Sequence, residues 1–101
     1  MKIVVKNVNE LPEVRHINGE LKEMQDIVGG YIEAFHVSPN ILCVCNEEGK
    51  IQNLPVNFNF NKDYICGNVF FVAECEEDFE SLNSQKIAFL MDVFNEEECD
   101  R

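Results

Sequence analysis

Val28-Gly29-Gly30-Tyr31-Ile32-Glu33 decides the fold class, because an apolar helical series stops at a pair of glycines and a strand begins at once. Glycine adopts the left-handed conformation that closes a helix without steric cost. Upstream, Leu21, Met24, Ile27 and Val28 recur at helical spacing behind Asn18, which reads as the N-cap. Downstream, Tyr31 to Val37 reads as a strand that Ser38-Pro39-Asn40 breaks. Helix and strand joined by so tight a turn point to a small α+β body.

Working outward, Lys2 to Lys6 and Glu13 to Ile17 flank the turn Asn9-Glu10-Leu11-Pro12 and predict an antiparallel hairpin. Ile41-Leu42-Cys43-Val44-Cys45 is apolar at every position, as in a strand covered on both faces or near the sheet centre. Asn46-Glu47-Glu48-Gly49-Lys50 then reads as a hairpin turn with Gly49 at a positive-φ position. Ile51 to Asp63 is rich in Asn and contains Pro55, which predicts an irregular connection where Val56, Phe58 and Phe60 alternate as an edge strand or docked loop. Asn68-Val69-Phe70-Phe71-Val72-Ala73 is the strongest strand, expected in the sheet interior, with Gly67 as a bulge or a point of close approach. Past the acidic stretch Glu74 to Glu80, a helix starting at Asn83 or Ser84 sets Ile87, Leu90, Met91 and Phe94 on one face. The expected architecture is a single α+β domain over residues 1–94, with two helices and a mixed or mostly antiparallel sheet of about five strands. An acidic tail at 95–101 is expected to fray.

The chain has 101 residues, 46% of them hydrophobic, which suits one core and leaves no room for a second domain. Nineteen Asp and Glu against eight Lys and Arg give a formal net charge of -11. Such a field repels phosphate, so direct binding to nucleic acid or to an anionic membrane is disfavoured and basic partners are favoured. Acidity also serves solubility alone. Met1 to Lys6 carries three consecutive apolar residues, too few for the core of a secretory leader, and no stretch has the length of a membrane span. Five cysteines, an odd count, fit a reduced, cytoplasmic setting.

Chemistry-bearing patterns are weak. Cys43, Cys45, Cys66, Cys75 and Cys99 with His16 and His36 never give C-x-x-C spacing, so no metal site is expected and the cysteines read as small apolar residues. An acidic environment disfavours a thiolate, and Ser38, Ser81 and Ser84 sit in turn or capping contexts without a nucleophile elbow. Gly29-Gly30 follows a helix, where the dipole is negative, so it does not read as a phosphate cradle. No catalytic residue and no cofactor are expected.

The sharper signal is acidic. Glu74, Glu76, Glu77, Asp78 and Glu80 fall within seven residues, and Asp92, Glu96, Glu97, Glu98 and Asp100 follow. Carboxylates along a rigid edge imitate a phosphate backbone and fill an Arg- or Lys-rich groove on a nucleic-acid-binding protein. The same run also reads as an ordinary solvated surface.

Four blocks in order, Val28 to Glu33, Asn46 to Lys50 with Leu54 to Asn57, Ile65 to Val72, and Phe79 to Leu82, resemble a family of small domains found in bacteriophages and conjugative elements, domain of unknown function 3846. The resemblance implies no catalytic role. By analogy with small proteins of such elements, it implies a non-enzymatic antagonist of host defence in the host cytoplasm, of the anti-CRISPR or anti-restriction type. Its partner would be a basic protein or nucleoprotein complex met by Glu74, Glu76, Glu77, Asp78 and Glu80. A second reading is a homo-oligomeric sponge that grips a nucleotide immune signal with Tyr31, Lys50 and Asn57, and a third is an accessory protein-binding module.

Overall fold

Continuous apolar strands need cover on both faces, and the fold supplies it by setting one sheet between two unlike layers. The computed structural model describes the backbone of residues 1–99 and the side chains of residues 1–94. Its elements are β1 (Lys2–Lys6), β2 (Glu13–His16), α1 (Leu21–Val28), β3 (Ile32–Ser38), β4 (Ile41–Asn46), β5 (Val56–Phe60), β6 (Asp63–Cys66), β7 (Val69–Cys75), β8 (Asp78–Glu80) and α2 (Ser84–Cys99). Six strands form the main sheet in the order β2-β1-β7-β4-β3, with β8 also paired to β7, while β5 and β6 form a sheet of their own. Every pairing is antiparallel. Ala73 pairs with Ile41 on one side and Glu80 on the other, so β8 lies along the same edge of β7 as β1. A bond from the Leu82 N–H to the Lys2 carbonyl, 2.9 Å, ties those two ends together.

Strand alternation sorts the core into two layers. Val4, Cys43, Cys45, Val69 and Phe71 face Leu90 and Phe94 of α2 and Phe58 of β5. Ile3, Val5, Leu42, Val44, Phe70 and Val72 face Met24 and Val28 of α1. The central strands β7 and β4 are thereby covered on both sides, and all six residues of β4 are buried. Phe70 and Phe71, adjacent in sequence, are each almost fully buried on opposite faces, and each contributes about 2 to 3 kcal/mol of apolar burial.

Local chemistry explains the elements and corrects several expectations. Gly29 ends α1 in the left-handed region at φ 81°. Gly30 does not share that conformation. Its role is close approach, since a Cβ there would sit 2.9 Å from Asn46 Nδ2. Asn18 is not the N-cap. Glu20 holds that position without a side-chain bond, and the Glu23 carboxylate reaches back to accept the N–H groups of Asn18 (2.8 Å) and Gly19 (3.2 Å). Asn83 does cap α2, its Oδ1 accepting the Lys86 N–H at 2.8 Å.

Residues 46–50 are not a hairpin turn, and Gly49 is not at positive φ. The Asn46 side chain accepts the Glu48 N–H at 2.8 Å, turning the chain out of the main sheet towards β5. Gly49 is required by packing instead, because a Cβ would lie 2.9 Å from the Cys66 carbonyl oxygen. Gly67, at φ 85°, separates β6 from β7 and is a close-approach point against Leu54, not a bulge within one strand. The acidic stretch is itself structured, as the end of β7, a two-residue turn and β8. The expected tail at 95–101 begins inside α2, which continues to Cys99, while Asp100 and Arg101 lie outside the described residues.

Candidate functional site

Three places are candidates for a functional site, and the acidic hairpin comes first. Cys75 pairs with Asp78, so Glu76 and Glu77 are the two central residues of the β7–β8 turn, at φ 52° and 72°. Positive φ at both positions defines a type I′ turn, which fits the twist of paired strands but favours Asn-Gly over Glu-Glu. The register then divides the five acids. Glu74 pairs with Phe79 on the α1 side of the sheet, whereas Asp78 and Glu80 pair with Cys75 and Ala73 on the α2 side. They form a two-sided ribbon with Glu76 and Glu77 at its apex.

Glu74 is engaged, its carboxylate 2.6 Å from His36 Nε2 on β3. Among the described residues, Glu76, Glu77, Asp78 and Glu80 make no ion pair with a lysine or arginine. Their field reaches the exposed thiol of Cys75, whose pKa is raised by the hydrogen bond it donates to the Glu80 carboxylate and by that group's charge, with lesser pushes from desolvation and from Asp78.

Tyr31, Lys50 and Asn57 do not converge. Tyr31 is exposed beside the end of α1, in a depression shared with Gln25 and Glu48. Asn57 is buried, because a register shift between Val56 and Phe58 takes it out of strand alternation and turns it into the core. Its amide donates to the carbonyls of Lys6 and Gly67, both at 2.8 Å, and its Oδ1 accepts from Lys6 Nζ at 3.2 Å. Lys6, buried on the same side of β1, also donates to the Asn7 carbonyl at 2.9 Å and lies 5.9 Å from the Phe94 ring centre. Asn57 is thus a structural hub, its side chain committed to Lys6 and Gly67 within the core.

Lys50 belongs to a third place that no sequence motif announced. Phe60 of β5 packs on Phe35 of β3, with ring centres 5.6 Å apart, and so holds the β5–β6 hairpin over one end of the main sheet. A cleft of about 580 Å³ opens there, lined by Glu33, Phe35, Cys45, Glu47, Lys50, Phe60, Asp63 and Tyr64 among others. Lys50 Nζ donates to Asp63 at 2.6 Å and lies 4.7 Å from the Tyr64 ring centre. The pair shifts Lys50 upward and Asp63 downward in pKa, in each case chiefly through that hydrogen bond. Burial, then the charge of Glu33, pushes the Cys45 thiol up to about 11. Neither force favours a thiolate nucleophile.

Among the described residues, no three His, Cys, Asp or Glu side chains come together as a metal-binding set. Cys43, Cys45 and Cys66 are buried free thiols, and burial raises the Cys43 pKa well above the ordinary thiol value. Ser81 spends its hydroxyl on the Lys2 N–H at 2.9 Å. No helix among the described residues is long and apolar enough to cross a membrane.

Comparison with curated proteins and with solved structures gave no match. A family profile described as a domain of unknown function matches residues 1–95, nearly the whole folded body set out above, and the chain therefore belongs to the family of domain of unknown function 3846.

Proposed function

We propose that this protein is a non-enzymatic binding protein, and that it antagonises host defence for a phage or mobile element by setting carboxylates against a basic nucleic-acid-binding surface. The observation that carries the reading is the β7–β8 ribbon, where Glu76 and Glu77 sit at the apex and none of Glu76, Glu77, Asp78 and Glu80 is neutralised by a lysine or arginine among the described residues. A hairpin anchored on the central strand holds those charges at fixed spacing, so little ordering entropy is lost when a cationic groove closes on them. The -11 net charge adds long-range attraction to such a groove and repels nucleic acid from the same protein. The cytoplasm of the host cell is the compartment this role requires.

The sponge reading is the less favoured, since within one chain Asn57 is committed to the core and Tyr31 and Lys50 open on different depressions, and its pocket would have to form between subunits. An accessory protein-binding module would use the same contact chemistry, and the identity of the partner separates it from an antagonist. The test is affinity capture from infected or plasmid-bearing host cells with the wild type and with a variant carrying Glu76→Gln, Glu77→Gln, Asp78→Asn and Glu80→Gln. A nucleic-acid enzyme retained by the wild type and lost by the variant supports the reading. Capture of that enzyme undiminished by the four substitutions removes it.

A further inference from the structure

The cleft under the β5–β6 hairpin has a chemistry of its own. Its lining includes the aromatic residues Phe35, Phe60 and Tyr64 together with Glu33 and Glu47, which make no ion pair among the described residues. Its remaining acid, Asp63, and the Tyr64 ring already hold a cation, the ammonium of Lys50, at 2.6 Å and 4.7 Å. The chain's own lysine therefore displays the mode of recognition that the cleft offers, a carboxylate beside an aromatic face.

We infer that the cleft receives an arginine side chain from an extended basic segment of a partner protein. A guanidinium is planar, stacks on aromatic rings and takes carboxylates in bidentate fashion, which suits a cleft lined by both Glu33 and Glu47 and by Phe35 and Phe60. A polypeptide source follows from the sheet. β3 is its terminal strand, so among the described residues one edge of the β3 backbone has no strand partner. Glu33 and Phe35 pair with Cys45 and Cys43 and share their face of the sheet. A segment added along the free edge directs every second side chain to that face, towards the cleft. A phosphorylated ligand is disfavoured, because three carboxylates face the single Lys50, which is already paired.

The site needs none of the hairpin acids, so it stands or falls apart from the function proposed above, with which it shares only a cationic partner. The probe is a capped heptapeptide of alternating valine and threonine with one central arginine, compared with its twin carrying neutral citrulline. Backbone amide NMR shifts locate binding and titration gives affinity. The arginine peptide is expected to shift Glu33, Phe35, Cys45 and Tyr64, and the citrulline twin to bind about fivefold or more weakly. Glu33→Gln with Glu47→Gln should weaken the arginine peptide by about tenfold. Lys50→Met, which vacates the Asp63 and Tyr64 corner, should tighten it. Glu76→Gln with Glu77→Gln should leave it unchanged. Equal binding of the two peptides, shifts confined to the β7–β8 turn, or weaker binding by Lys50→Met would each overturn the inference.

Discussion

Asn57→Ala tests the assignment of Asn57 to the core. The substitution deletes three hydrogen bonds at once: two N–H donors to the carbonyls of Lys6 and Gly67 at 2.8 Å, and an acceptor for Lys6 Nζ at 3.2 Å. Asn57 is 3% exposed, so solvent does not replace those partners freely. A buried group left without a partner costs about 1 to 3 kcal/mol, and Lys6 retains its bond to the Asn7 carbonyl, so a total near 3 kcal/mol is expected. For a domain of this size the unfolding entropy is about 0.2 kcal/mol/K, and the melting temperature should fall by about 15 °C. Thermal melts followed by circular dichroism, with urea titrations for the free energy, make the measurement. A fall of less than about 4 °C would refute the reasoning, since it would mean that the neighbours do not depend on the Asn57 amide and that Asn57 is available to a ligand.

Other predictions concern the turns and thiols. Glu76→Asn with Glu77→Gly places the preferred residues in the type I′ turn and should raise stability by about 1 kcal/mol, read as a higher urea midpoint. Gly30→Ala forces the Asn46 amide away from the Val28 carbonyl, which it now contacts at 3.3 Å, and should destabilise by about 1 to 2 kcal/mol in the same assay. Glu80→Gln removes the main cause of the raised Cys75 pKa, so more of that exposed thiol is ionised at a given pH. Alkylation at Cys75 should quicken, as followed by peptide mass spectrometry, while buried Cys43 stays slow.

What was legible in the sequence was what local chemistry enforces. The helical spacing closed by Gly29, the unbroken apolar runs of β4 and β7, and the Asn83 cap of α2 each need no distant residue to be read. Two hairpins were not legible for one shared reason. The β5–β6 turn places Asn61 and Lys62 at φ 51° and 64°, and the β7–β8 turn uses two glutamates, so neither carries the glycine that announces a type I′ turn. The paired strands impose those conformations, and the pairing is visible only in the fold. The burial of Asn57 was hidden for a related reason, because the alternation of Val56, Phe58 and Phe60 points it outward until a bulge reverses it. Of the candidate sites, the acid run could be read directly, whereas its division between two faces depends on the register of β8. The cleft had no local signature, since it exists only where Phe60 meets Phe35, twenty-five positions apart.

Ionic strength provides the most direct test of the central claim that this protein works by offering carboxylates to a basic partner. Affinity for the captured host complex should be measured across a salt series, for the wild type and for the variant neutralised at Glu76, Glu77, Asp78 and Glu80. The account predicts a steep loss of wild-type affinity with rising salt and a shallower slope for the variant. Affinity that is flat in salt, or the same slope for both proteins, would contradict it.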